Sequence, residues 1–204
     1  MIRKFIFLIV MASTNVVYAD GYCSWENNSF FRKSRLAESV QSVFQYFYPN
    51  FQLTPAELDS ISRQPGRIVY LLEARKLGYT LTERYCGESR DDDESDAFRH
   101  FVASAFLATK MGHAEAVLYL AGHEQFPEKI VQEPREHMDL FNNNQGAIFG
   151  ARLRQEQKWP LEDTIGKIVT EAFRKLRVGR LKVIKKGSSK CANPETYPSF
   201  PKKD

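Results

Sequence analysis

One stretch, DAFRHFVASAFLATKMGHAEAVLYLAGHEQ from Asp96 to Gln125, limits the possible folds more than any other. It reads as two nearly apolar helical runs broken at Met111-Gly112, and a helix that is apolar on most of its faces has to be covered by neighbours. The expected fold is therefore all-α: a compact orthogonal or antiparallel bundle of about six helices. At 204 residues, 43% of them hydrophobic, the chain can bury one full core around this pair.

The other helices follow from periodicity and caps. Ser34 to Phe47 carries a helical stripe of Leu36, Val40, Val43, Phe44 and Phe47. Thr54-Pro55-Ala56-Glu57 is a capping box with proline at the first helical position. Arg67 to Leu77 is expected to be a helix closed by Gly78, with a polar loop from Tyr79 to Asp92. A long helix should run from about Pro134 to about Lys158, and a last one from Leu161 to Arg177. GRLKVIKK then reads as a short strand or an extended arm.

Residues 1–19 have the layout of a secretory signal peptide: Arg3 and Lys4, an apolar Phe5 to Ala12, and a small-residue site at Val17-Tyr18-Ala19. Asp20-Gly21-Tyr22 before Cys23 does not fit a lipobox. Residues 20–190 are expected to form a single helical domain and 191–204 an irregular tail. Export to the periplasm or beyond would let two of Cys23, Cys86 and Cys191 pair, leaving one odd thiol, with the pair undetermined.

Without the signal, 27 basic residues face 25 acidic ones, too even a balance to argue for nucleic acid. Charge is nevertheless segregated: ESRDDDESD, Glu88 to Asp96, is mostly acidic, while Arg174 to Lys190 holds eight Lys/Arg and no acid. Such runs are read as solvated faces. The basic one could also rest on an anionic envelope surface.

Five polar residues interrupt the apolar pair. At about 100° per residue, Asp96, Arg99 and His100 share a stripe that continues as Ala103 and Leu107, so the trio is expected to be enclosed. His123 and Glu124 likewise end apolar ridges. Folding back at Gly112 would set Arg99-His100 beside His123-Glu124, about 18 Å from the turn. In the long helix Asp139, Asn142, Asn143, Gly146 and Gly150 share a stripe, and two glycines four apart suggest close approach by another element.

These residues resemble the DAFRH…HE…MDLxNNxxG pattern of a bacterial domain often found at the C-terminal ends of Rhs-repeat and other toxin-like secreted proteins. The resemblance covers Asp96 to about Arg154, and more loosely the next helix with its GRLKVI ending. Phe141 stands where many members have His. The resemblance implies secretion and a toxin-like role, with a cognate immunity or inhibitor protein as a partner, rather than a particular reaction.

Two readings compete at the site. In one, the polar residues are a buried network that fixes helix packing. In the other they form a hydrolytic centre. Glu124, His100, His123 and Asp139 would be its catalytic groups, Arg99, Asn142 and Asn143 its substrate-binding groups, and Asp96 an orienting residue. This centre would work without a cofactor, or with a divalent metal on His100, His123, Glu124 and Asp139. The metal-free form is preferred, because His123 and Glu124 point about 100° apart on one helix. The compartment favours a cell-envelope substrate, peptidoglycan or phospholipid, ahead of nucleic acid in a nuclease-type toxin. An exported binding protein with an anionic ligand is the non-enzymatic alternative.

Overall fold

Helical periodicity accounts for nearly everything the backbone does. The computed structural model describes residues 38–46, 49, 52–124, 134–156, 160–187 and 189–192, and has no strand among them. The helices are α1 (described over 38–46), α2 (Pro55–Arg63), α3 (Ile68–Cys86), α4 (Glu94–Met111), α5 (His113–Glu124), α6 (Pro134–Glu156) and α7 (Leu161–Arg177). None is long and apolar enough to cross a membrane. The signal-peptide segment, Cys23 and the tail beyond 192 lie outside the described residues.

The chain divides into two units, 1–72 and 73–204, at a point inside α3. In the first, α1 buries Val40, Val43 and Phe44. α2 starts at the expected capping box: Glu57 N–H donates to Thr54 Oγ1 (3.2 Å) and Thr54 N–H to Glu57 Oε2 (2.7 Å). Such a cap contributes about 1 kcal/mol.

The second unit holds the apolar pair. α4 buries Phe98, Phe101, Val102 and Ala105 completely, each large side chain contributing about 2 kcal/mol. Its main partner is α6, with α7 next. Gly146 and Gly150 explain the first pairing. A Cβ on Gly146 would collide with Ser104 Oγ and the Phe101 carbonyl, and one on Gly150 with the Ala105 carbonyl. Glycine at these two positions lets the α4 backbone lie directly against α6. On the other side, Phe98 packs on Phe173 of α7 with ring centroids 4.9 Å apart, and Tyr85 of α3 meets both edge-on.

The structure corrects the reading of Tyr79 to Asp92 as a loop. α3 passes through Gly78 and ends only at Cys86, leaving 87–93 as the connection. Glycine costs a helix interior about 1 kcal/mol, but continuing buries Leu81, Thr82 and Cys86 and seats the Tyr85 ring. Tertiary burial outweighs the local preference.

The charge runs are also corrected, because they meet each other instead of facing only solvent. Asp92 adopts φ 71. Its carboxylate accepts from Arg135 Nε (2.8 Å) and Lys185 Nζ (2.9 Å), and its carbonyl from the amides of Ile184 and Lys185. Asp93 caps α4, accepting from the amides of Ser95 and Asp96. Glu94 accepts from Gly187 N–H at 2.5 Å. Cys86 and Cys191 form a disulfide, so the described residues 178–187 and 189–192 are an irregular arm, ending in a 3-10 turn at Lys190–Ala192, fastened to the start of α4 by acid and amide and to the end of α3 by sulfur.

Candidate functional site

Two triads with the same spacing face each other across the glycine seam. α4 supplies Asp96, Arg99 and His100, and α6 supplies Asp139, Asn142 and Asn143, both at positions i, i+3 and i+4, which share one helix face. Close backbone approach brings the two faces into contact. His100 is the centre. Its Nε2 lies 3.3 Å from Asp96 Oδ1 and 3.4 Å from Asp139 Oδ1, and its Nδ1 lies 3.1 Å from Asn143 Oδ1. One ligand-type atom from each of Asp96, His100 and Asp139 falls within 4.8 Å of the others. All three residues are buried, with exposures of 2%, 9% and 5%.

Asp96 is held from several directions. Burial pushes its pKa up, but the facing His100 ring, the Arg99 guanidinium and the Asp92 N–H (2.8 Å from Oδ2) together bring it down to about 2. It is an anion across the neutral range. Asp139 brings a second carboxylate to the same imidazole nitrogen.

Asn143 decides what the imidazole can do. A proton on Nδ1 is donated to Asn143 Oδ1, and the Nε2 lone pair then points between two carboxylates. That arrangement is repulsive unless a proton or a cation lies among the three atoms. A charge-assisted hydrogen bond has a heavy-atom distance of about 2.7–2.9 Å, shorter than either contact observed. Two ligands each about 2.1 Å from one tetrahedral ion stand roughly 3.4 Å apart. The two contacts suit both a ring N–H shared between the carboxylates and ligands placed around a common ion.

The other expected site residues separate from this centre. Arg99 pairs with Asp96 and lies over the Tyr79 ring at 5.0 Å, so it positions Asp96 and is not an open anion holder. Asn142 is not aimed at a substrate: its Nδ2 donates to the Lys182 carbonyl and its Oδ1 accepts from Lys182 N–H, both at 2.9 Å, so it holds the arm. His123 is half-buried on α5 and does not belong to the ligand group found among the described residues. Glu124 is the last residue of α5, and its side chain lies outside the described residues. Among the described residues the cluster is built across α4 and α6, where the glycines of α6 allow close approach. Of the remaining histidines, His113 reaches Asn144 Oδ1 at 3.1 Å on an exposed face and His137 is exposed.

Sequence reasoning missed Asp92, Arg135 and Tyr79. Asp92 sits in a run of three aspartates and nothing local singles it out. Only the arrival of Arg135 and of the arm, 43 and 93 residues away along the chain, gives it a role.

Fold and site together define an all-α protein with a buried carboxylate–imidazole–carboxylate cluster on two glycine-mated helices. Residues 59–176 match the family described as a domain of unknown function, DUF6973, and the chain belongs to that family. The match includes Asp96, His100, Asp139 and Asn143 and stops before the arm. No curated protein and no solved structure matches the chain.

Proposed function

We propose that Asp96, His100 and Asp139 hold a divalent cation of the zinc type, and that the protein is a metal-dependent hydrolase. The observation that carries this reading is the pair of contacts at 3.3 and 3.4 Å from a single imidazole nitrogen to two carboxylates. Three protein ligands leave a fourth position for water, whose pKa such an ion lowers toward neutrality. Asn143 fixes the His100 tautomer, and Arg99 with the Asp92 amide fixes the Asp96 carboxylate, the outer-shell support that metal ligands normally have. Glu124 is assigned proton transfer on sequence grounds.

Export and a cell-envelope substrate, peptidoglycan or phospholipid, belong to the same reading. They are supported by the N-terminal sequence and by the Cys86–Cys191 disulfide, which is at home in an oxidising compartment. The toxin-like role with a cognate inhibitor rests on the motif resemblance alone. The competing reading, a purely structural network, is favoured by the Arg99–Asp96 pair within one helix turn.

Metal analysis of the purified protein, with Zn, Mn and Ca titrations followed by melting, separates the two. The metal reading expects about one retained ion and an upward melting shift that Asp139→Asn and His100→Ala abolish while the helical signal persists. No retained ion, no shift with any of the three, and two variants that unfold at room temperature would leave only the scaffold. Parallel incubation with peptidoglycan, phospholipid vesicles and DNA then assigns the substrate.

A further inference from the structure

A second site lies on the other face of α6. Gln145, Ile148, Phe149 and Arg152 recur at i, i+3, i+4 and i+7 and form one wall of a surface cavity of about 400 Å³, within the size range of small-molecule sites. α7 supplies the opposite wall with Glu171, Arg174 and Lys175. Past its end, the turn at Gly179 (φ 65) brings Arg180 back so that its N–H donates to the Lys175 carbonyl at 2.8 Å. Four cations and one carboxylate therefore face one hollow, a formal +3.

The carboxylate is already taken. Glu171 accepts two bonds from Arg174, both at 2.7 Å, and Lys175 Nζ donates to the neutral Gln145 Oε1 at 2.7 Å. Arg152 lies over the Phe149 ring, 5.1 Å from its centroid, and among the described residues no carboxylate pairs with Arg152 or Arg180. Cations in a last helical turn complement the helix dipole, which accounts for Arg174 and Lys175. It does not account for Arg152, which comes from another helix, or for Arg180. Burial, opposed by Glu171, and then the charges of Arg174, Arg180 and Arg152 hold the Lys175 ammonium below its usual value, as expected where cations outnumber their partners.

We propose that this cavity binds a phosphate group, with the Arg152 and Arg180 guanidiniums as its principal donors and Ile148 and Phe149 as an apolar bed for what the phosphate is attached to. Guanidinium forks match phosphate oxygens in pairs, and Ile148 is 51% exposed with nothing else assigned to it. The phosphate could belong to a soluble phosphomonoester or to a phospholipid headgroup. The proposal is independent of the metal centre.

The test uses the full chain at about 0.15 M salt, where exposed charges are screened beyond about 8 Å. A chelator keeps metal-bound phosphate out of the measurement. Calorimetry with glycerol 3-phosphate and co-sedimentation with phosphatidylglycerol or phosphatidylcholine vesicles are compared for wild type, Arg152→Gln/Arg180→Gln, and a charge-matched control, Lys76→Gln/Lys186→Gln, at exposed lysines outside the cavity. The cavity pair is expected to lose about tenfold or more in affinity, about 1.4 kcal/mol or more, and the control less than about twofold. Binding to phosphatidylglycerol vesicles that glycerol 3-phosphate displaces identifies a headgroup, and binding of the soluble ester alone identifies a free ligand; both uphold the site. No binding of either probe, or an equal loss in both variants, overturns it. A melting comparison of the two pairs guards against loss of fold, with the single Arg180→Gln as the milder variant.

Discussion

Asp92 and Asp96 lie four residues apart and are joined by one hydrogen bond, from the Asp92 N–H to the Asp96 carboxylate, yet they belong to different kinds of structure. Asp96 faces the seam between α4 and α6, where burial works against its charge and His100 and Arg99 overcome it. Asp92 is at the edge, held below the usual carboxylate range first by Arg135 and then by Lys185, both substantially exposed. Within the seam, geometry is set by backbone contact and a displaced atom has nowhere to go. At the edge, the arm's described residues have one short 3-10 turn, Lys190–Ala192, and are retained by a disulfide and by pairs that water can replace. One region fixes its side chains by close backbone packing, and the other is only latched.

That contrast can be tested from the strongest effect downward. Removing the disulfide with Cys86→Ser/Cys191→Ser, which opens a link across 105 residues, should cost about 4 kcal/mol in urea unfolding, while any metal affinity changes far less than on changing Asp139. If metal affinity collapses with the disulfide, seam and arm are one unit. Gly146→Val should cost about 3 kcal/mol, because its side chain meets the Phe101 carbonyl; unchanged stability would mean the seam is loose. If Asp96, His100 and Asp139 hold the proposed ion, Asn143→Ala should weaken its binding roughly tenfold to a hundredfold with little change in melting, whereas a large melting loss without a metal effect would make Asn143 purely structural.

The smallest effect is the pH dependence of the latch. A carboxylate whose pKa is lowered by folding stabilises the protein above its unfolded value, about 3.9, and loses that contribution as pH falls through the folded value. Both Asp92 and Asp96 shift downward, Asp96 to about 2, so stability should fall as the pH drops below about 4. Asp92→Asn should remove part of that slope, an effect under about 1 kcal/mol because the partners are exposed. A steeper slope in the variant would show that Asp92 is not the latch.

Much of the centre was readable from spacing. The i, i+3, i+4 placement of Asp96, Arg99 and His100 in an apolar helix, and of Asp139, Asn142 and Asn143 beside two glycines, pointed to enclosed faces that meet. Spacing could not distinguish Asn142 from Asn143, which are adjacent and identical. One orients an imidazole and the other grips Lys182 only because about 100° of helical rotation turns them to different neighbours. Likewise Gly78 read as a stop and Glu88 to Asp96 as a solvated run, because local preference is all that a window of sequence contains.

The amino-acid order by itself determined the helical class, the Thr54–Glu57 capping box and the residues needing cover, since those depend on side-chain chemistry within a turn or two. Tertiary structure alone decided that His100 looks across to Asp139, that acid meets base along the arm, and that Cys86 finds Cys191. Those pairings join residues 39 to 105 positions apart, and at such separations only the packing of elements distant in sequence selects the partner.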